Sequence, residues 1–133
     1  GTTTNAITDL LKADGSLIGV DVLLNRELIA KDVTEQCLLT LLQKNSSADI
    51  IITPIGGQGV LLGRGNQQIS AKVVQQVGIE NLTVIATPSK IASLGGRPFL
   101  MDIGDTQLEK AMPAFFRVIS GWKSTTMYPY HTE

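Results

Sequence analysis

Asp49-Ile50-Ile51-Ile52-Thr53-Pro54-Ile55-Gly56-Gly57-Gln58-Gly59-Val60-Leu61-Leu62-Gly63-Arg64-Gly65-Asn66-Gln67-Gln68 is the stretch on which the fold turns. An acidic residue opens an apolar run of strand character, Thr53-Pro54 stops it, and the ten residues from Gly56 contain five glycines. A strand that runs into glycines lays its backbone bare at the strand end. Main-chain amides there approach a ligand that any Cβ would hold away. Arg64 and the side-chain amides of Asn66, Gln67 and Gln68 add polar groups, so the segment reads as a nucleotide-facing loop, with a plain chain reversal as the simpler use of its glycines.

Downstream, Ser70 is placed to cap a helix that carries Val73, Val74 and Val77 and stops at Gly78. Leu82 to Ala86 reads as a short apolar strand suited to burial on both faces. Thr87-Pro88 starts another helix, threonine capping it and proline tolerated at its first position, and Gly95-Gly96 ends it. Phe99 to Ile103 is a further strand, Asp105 caps a brief helix through Ala111, and Phe115 to Ile119 pairs with Thr125 to Tyr128 in a hairpin about Gly121. Ile52-Thr53-Pro54 and Ala86-Thr87-Pro88 are two strand exits of one kind, which need no common origin because Thr-Pro is simply a good exit.

Upstream, Thr4 or Asn5 caps a first helix ending near Asp14-Gly15, and Leu17 to Lys31 reads as a hairpin turning at Asn25-Arg26-Glu27. Thr34 to Gln43 has helical period through Cys37, Leu38, Leu41 and Leu42. The expected fold class is α+β, a mixed and sandwich-like sheet with short flanking helices. The strand-helix alternation from Asp49 to Ala111 leaves a three-layer α/β arrangement as the alternative.

With 133 residues and no linker-like segment, residues 1–133 are expected to form a single domain. Charged residues are 17% of the chain against 43% hydrophobic, with a mean hydropathy of +0.16, so part of the surface is expected to be an interface. Eleven basic and twelve acidic residues give a net charge of -1 without a basic run, which argues against nucleic acid. One cysteine, Cys37, makes neither an internal disulfide nor a cysteine-rich metal site, and a reduced, cytoplasmic setting is expected. No apolar run approaches the roughly 20 residues that cross a bilayer, so no membrane partner is expected. The chain opens on Gly1-Thr2-Thr3-Thr4 without methionine, which suggests a fragment lacking its N-terminal part.

Other reactive side chains have simpler uses. Asp102 and Asp105 could hold magnesium with phosphate oxygens, yet capping is a sufficient role for Asp105. His131 is the sole histidine and lies beside the C-terminus, Trp122 serves either a subunit contact or packing under a loop, and Cys37 reads as core. No nucleophile, base and orienter occur together, so no catalytic residue and no metal ligand is assigned.

Asp49-Ile50-Ile51-Ile52-Thr53-Pro54-Ile55-Gly56 resembles the stretch of the NAD kinase family in which an acidic residue and an apolar strand lead into Thr-Pro-Thr-Gly-Ser-Thr-Ala-Tyr. Val84-Ile85-Ala86-Thr87-Pro88, with Leu94 and Arg97-Pro98, is similar to the family's second strand-Thr-Pro segment. Pro54 to Gly59 with Gly63 to Gln68 resembles the ATP-NAD kinase-like branch that includes acetoin catabolism proteins. The resemblance covers nearly the whole chain and is with the family's C-terminal part.

It implies a C-terminal nucleotide-binding domain of an ATP- or polyphosphate-dependent kinase that phosphorylates the 2′-hydroxyl of NAD ribose, with magnesium in the full-length enzyme. The implied nucleotide-binding residues are Asp49, Thr53, Gly56, Gly57, Gln58, Gly59, Arg64, Asn66 and Gln67. The implied partners are an N-terminal domain of the same protein and further copies of the chain. Two departures bear on activity. Gly57, Gln58, Gly59 and Val60 stand where ordinary family members have Ser-Thr-Ala-Tyr, and the Gly-Gly-Asp-Gly that carries the family's catalytic aspartate does not occur in these 133 residues. The chain alone is therefore expected to be inactive. A non-catalytic accessory or regulatory domain is the alternative, and a lipid or small-molecule kinase would require a deep apolar cleft beside Gly56 to Gln68.

Overall fold

The computed structural model describes residues 2–11, 15–16 and 19–131. Helix α1 (Thr2–Leu10) is followed by an antiparallel hairpin of β1 (Val22–Leu24) and β2 (Glu27–Ala30). Its turn residues Asn25 and Arg26 have φ of 51° and 70°, the paired left-handed geometry that lets a two-residue loop follow strand twist. The expected hairpin turn is thus present without the usual glycine. Leu17 and Ile18, expected in its first strand, and Asp14, expected at the helix end, lie outside the described residues. Helix α1 also starts ahead of the expected caps Thr4 and Asn5, and the Thr8 hydroxyl donates to the Asn5 carbonyl at 2.9 Å inside it.

Asp21 ties the hairpin together. Its carboxylate accepts from the Ser16 amide at 2.7 Å, the Ser16 hydroxyl at 2.6 Å and the Asp32 amide at 3.1 Å. Partial burial pushes this carboxyl up, but the Ser16 hydroxyl, the Asp32 and Ser16 amides and the charge of Lys31 outweigh burial and hold it below the ordinary aspartate value.

The body of the domain comprises α2 (Glu35–Lys44), β3 (Ile50–Ile52), β4 (Val60–Leu62), α3 (Ala71–Val77), β5 (Leu82–Ile85), α4 (Pro88–Ser93), β6 (Leu100–Met101), α5 (Thr106–Ala111), β7 (Phe115–Gly121) and β8 (Ser124–Pro129). Four helices start where cap chemistry dictates. Thr34, Ser70, Thr87 and Asp105 accept from the amides of Cys37, Val73, Lys90 and Leu108, and Pro88 takes the first position of α4. Asp105 is therefore a cap. Gly78, at φ 98°, ends α3.

One sheet has the order β3-β5-β7-β8, its first three strands parallel and β8 antiparallel to β7; β4 and β6 form a separate parallel pair. Mixed sheets with five short helices among the described residues make an α+β fold without a closed barrel. The parallel connection expected between Asp49 and Ala111 is real, but it forms only part of the larger sheet. Strand β4 corrects the reading of Gly56 to Gln68 as a continuous loop. Val60, Leu61 and Leu62 are fully apolar and are buried.

The larger sheet buries one face. Ile50, Ile52, Val84, Phe116, Val118 and Tyr128 point into a core shared with Leu61, Leu62, Val73, Val74 and Leu94. Phe99 lies at its centre with 0% exposure, 4.5 Å from the Tyr128 ring and edge-on to Phe116 at 6.4 Å. The opposite face carries the exposed Ile51, Phe115, Ile119 and Met127. Within Leu82 to Ala86, Val84 and Ala86 are buried, while Leu82, Thr83 and Ile85 are half-buried. Trp122, at the tip of the last hairpin, is 90% exposed with Lys123 over its ring, so it packs under no loop, and Cys37, expected in the core, is half-buried.

Candidate functional site

The glycine stretch divides into two turns on either side of β4. The first is a tight reversal closed by the Ile55 amide to the Val60 carbonyl at 2.8 Å and the Val60 amide to the Ile55 carbonyl at 3.2 Å. Gly56 and Gly59 take φ of 67° and 70°, which non-glycine residues reach only with strain. Their surroundings differ. A Cβ on Gly59 would lie 3.2 Å from Leu94 Cδ2, so Gly59 is buried and shaped for packing, whereas a Cβ on Gly56 or Gly57 would meet nothing within 4 Å. Gly56 and Gly57 therefore form the bare backbone.

In the second turn Gly63 has φ of 107°, and a Cβ there would overlap the carbonyl of Asp102. This glycine serves the close passage of β4 against the chain after β6. Asn66 staples the same turn, its Oδ1 accepting from the Gly63 amide at 2.9 Å and its Nδ2 donating to the Leu61 carbonyl at 2.9 Å. The side chain expected to reach a ligand also holds its own loop in shape. Asn66→Ala is expected to destabilise the domain by about 1–3 kcal/mol in urea unfolding, because it strips partners from a half-buried amide and carbonyl.

Arg64 is exposed, and its Nη1 donates to Gln58 Oε1 at 3.2 Å, which joins the two turns on the outside of β4. Gln67 is exposed too. Asp49 and Thr53, with Asn66, line a different feature, a groove of about 700 Å³ between the N-terminal helix and hairpin and the sheet. Its walls are mainly apolar, including Ile7, Val20, Leu38, Ile52, Ile69 and Val73. The nine candidate residues therefore lie on more than one surface of the described structure. Gly56, Gly57, Gln58 and Arg64 share the outer turn surface, Gly59 packs beneath it, and Asp49, Thr53 and Asn66 border the groove.

One residue was not among the candidates. Lys90, in the first turns of α4, donates from Nζ to the Gly56 carbonyl at 2.9 Å across 34 positions of sequence. The two Thr-Pro exits were the signal available for it. Strands β3 and β5 are parallel neighbours, so both exits emerge at the same end of the sheet and bring the start of α4 against the glycine turn. Among the described residues no three His, Cys, Asp or Glu side chains gather to hold a metal ion, and His131 is exposed.

A family model for the ATP-NAD kinase C-terminal domain matches residues 4–130. The chain belongs to that family. Neither the comparison with curated proteins nor the comparison with solved structures gives a match. Membership ties this NAD kinase C-terminal domain to NAD phosphorylation, with NAD and ATP as the family's substrates. Val60 is 2% exposed and locked in the turn's closing pair. Among the described residues no helix is long and apolar enough to cross a membrane.

Proposed function

We propose that this domain orients NAD for phosphorylation of its ribose 2′-hydroxyl, the exposed turn at Gly56-Gly57-Gln58 with Arg64 forming the nucleotide-facing surface. The observation that carries this reading is the open space over Gly56 and Gly57, in a domain matched along nearly its whole length to the NAD kinase family. Glycine amides there admit a ligand oxygen closely, and the Arg64 guanidinium, held by Gln58, presents further donors in a fixed plane. Positioning of this kind suits phosphoryl transfer, in which the protein contributes mainly alignment and charge stabilisation. The general base and the phosphate-binding Gly-Gly-Asp-Gly belong, on this reading, to an N-terminal domain of the same protein. ATP or polyphosphate as the phosphate donor, and a cytoplasmic location, are part of the same proposal. Magnesium finds no cage among the described residues, and no step on this chain is assigned to it. The exposed apolar sheet face, with Ile51, Phe115, Ile119 and Met127, supports association of the domain in a homo-oligomer.

Calorimetric titration tests the site. Gly57→Val and Arg64→Ala are each expected to weaken NAD binding by about tenfold, in line with loss of one charge-assisted contact or close backbone approach. Thermal midpoints should hold, because a Cβ at Gly57 has open space and Arg64 is exposed. Unchanged affinity in both variants would sink the assignment.

The groove supports a second reading. Its apolar walls beside Gly65 and Asn66 suit a substrate with an aliphatic body. A non-catalytic accessory domain of the acetoin catabolism type is the third, supported by the aliphatic Val60.

A further inference from the structure

We infer that Lys90 and Arg64 form a two-cation clamp on the glycine turn that receives a phosphoryl or pyrophosphate group. Both cations are tethered to one short reversal by neutral oxygens. Lys90 Nζ donates to the Gly56 carbonyl at 2.9 Å, and Arg64 Nη1 donates to Gln58 Oε1 at 3.2 Å. Gly56 and Gln58 are two residues apart, at most about 7 Å of chain, and the Gly59 amide folds back to the Gly56 carbonyl at 3.4 Å. Neither tether cancels a positive charge. Each also uses only part of the donor capacity, since an ammonium has three donors and a guanidinium five. Two positive side chains fixed on one turn, over glycines whose Cβ positions are open, favour a dianionic ligand with several acceptor oxygens.

The arrangement has a cause in the chain. Thr87 caps α4 through the Lys90 amide at 3.2 Å, which fixes the backbone from which the lysine stem crosses to Gly56. Arg64 sits between Gly63, pinned against Asp102, and the Asn66 staple, so its own backbone is equally constrained. The clamp is therefore positioned by elements that do not depend on the ligand. That the phosphate belongs to a nucleotide rests on the function proposed above; the anion site itself does not.

The test is titration of ¹⁵N-labelled protein with inorganic pyrophosphate, NAD and adenosine, for wild type, Lys90→Met, Lys90→Arg and Arg64→Met. Pyrophosphate is expected to shift the amides of Gly56, Gly57 and Gln58, with binding that weakens as salt rises. Lys90→Met and Arg64→Met should each lower pyrophosphate affinity about fivefold to tenfold, while Lys90→Arg retains it. Pyrophosphate affinity unchanged in both methionine variants, or shifts confined to other surfaces, would overturn the clamp. NAD affinity equal in wild type and both methionine variants, beside weakened pyrophosphate binding, would uphold the clamp as an anion site and remove Arg64 from the NAD-facing surface. Charge-dependent pyrophosphate binding without NAD or adenosine binding would uphold the clamp and remove the NAD reading.

Discussion

Gly63→Ala is expected to destabilise the domain by about 3–5 kcal/mol, a large share of the stability of any domain this size. Two costs act together. The backbone φ of 107° lies where a Cβ strains the main chain by about 1–3 kcal/mol, and the new methyl would overlap the Asp102 carbonyl. That carbonyl is fixed, because the Asp102 amide donates to the Leu62 carbonyl at 2.9 Å, so relief requires the β4 and β6 segments to part, at about another 1–3 kcal/mol. The Asn66 staple on the Gly63 amide would be disturbed as well. Urea unfolding of Gly63→Ala beside Gly57→Ala measures the difference, since Gly57 has open space and should change stability by less than about 1 kcal/mol. Equal effects at the two glycines would contradict the described passage of β4 against the chain after β6.

Phe99→Ala carries the other large effect, again about 3–5 kcal/mol. The ring is fully buried, lies tilted by 38° against Tyr128 at 4.5 Å and meets Phe116 edge-on, and its own backbone bonds the Pro129 carbonyl at 2.8 Å and the His131 amide at 3.0 Å. Truncation leaves a cavity where the small β4-β6 pair leans on the end of β8, at the joint between the two sheets. Phe115→Ala is the matched control. Phe115 is 54% exposed on the open face, and its loss should cost less than about 1 kcal/mol in the same measurement.

Local chemistry made much of the fold readable. Thr34, Ser70, Thr87 and Asp105 announce their helices because a cap needs only its own side chain and an amide three residues on. The last hairpin follows from alternation through Phe116 and Val118. Strand β4 was missed because Val60-Leu61-Leu62 is three residues long and framed by Gly59 and Gly63, too short for any period to declare itself. What identifies it is burial beneath Leu94 and Phe99, a tertiary fact.

The site was legible in composition and less so in roles. Five glycines in ten residues look equivalent on paper, yet Gly56 and Gly57 are open, Gly59 accommodates Leu94, and Gly63 accommodates a carbonyl. Nothing local in the sequence reveals that the Asn66 amide also closes the loop around β4. Lys90 has no local tie to Gly56, and its one signal in the sequence is the pair of Thr-Pro exits. Only the parallel pairing of β3 with β5 sets the two Thr-Pro exits side by side.

The most direct test of the nucleotide-facing turn is a map of backbone amide shifts on titrating the labelled chain with NAD. Saturable shifts centred on Gly56, Gly57, Gln58 and Arg64 are the expected result. Shifts centred on the groove at Ile52, Ile69 and Val73, or no saturable shift at all, would contradict the account.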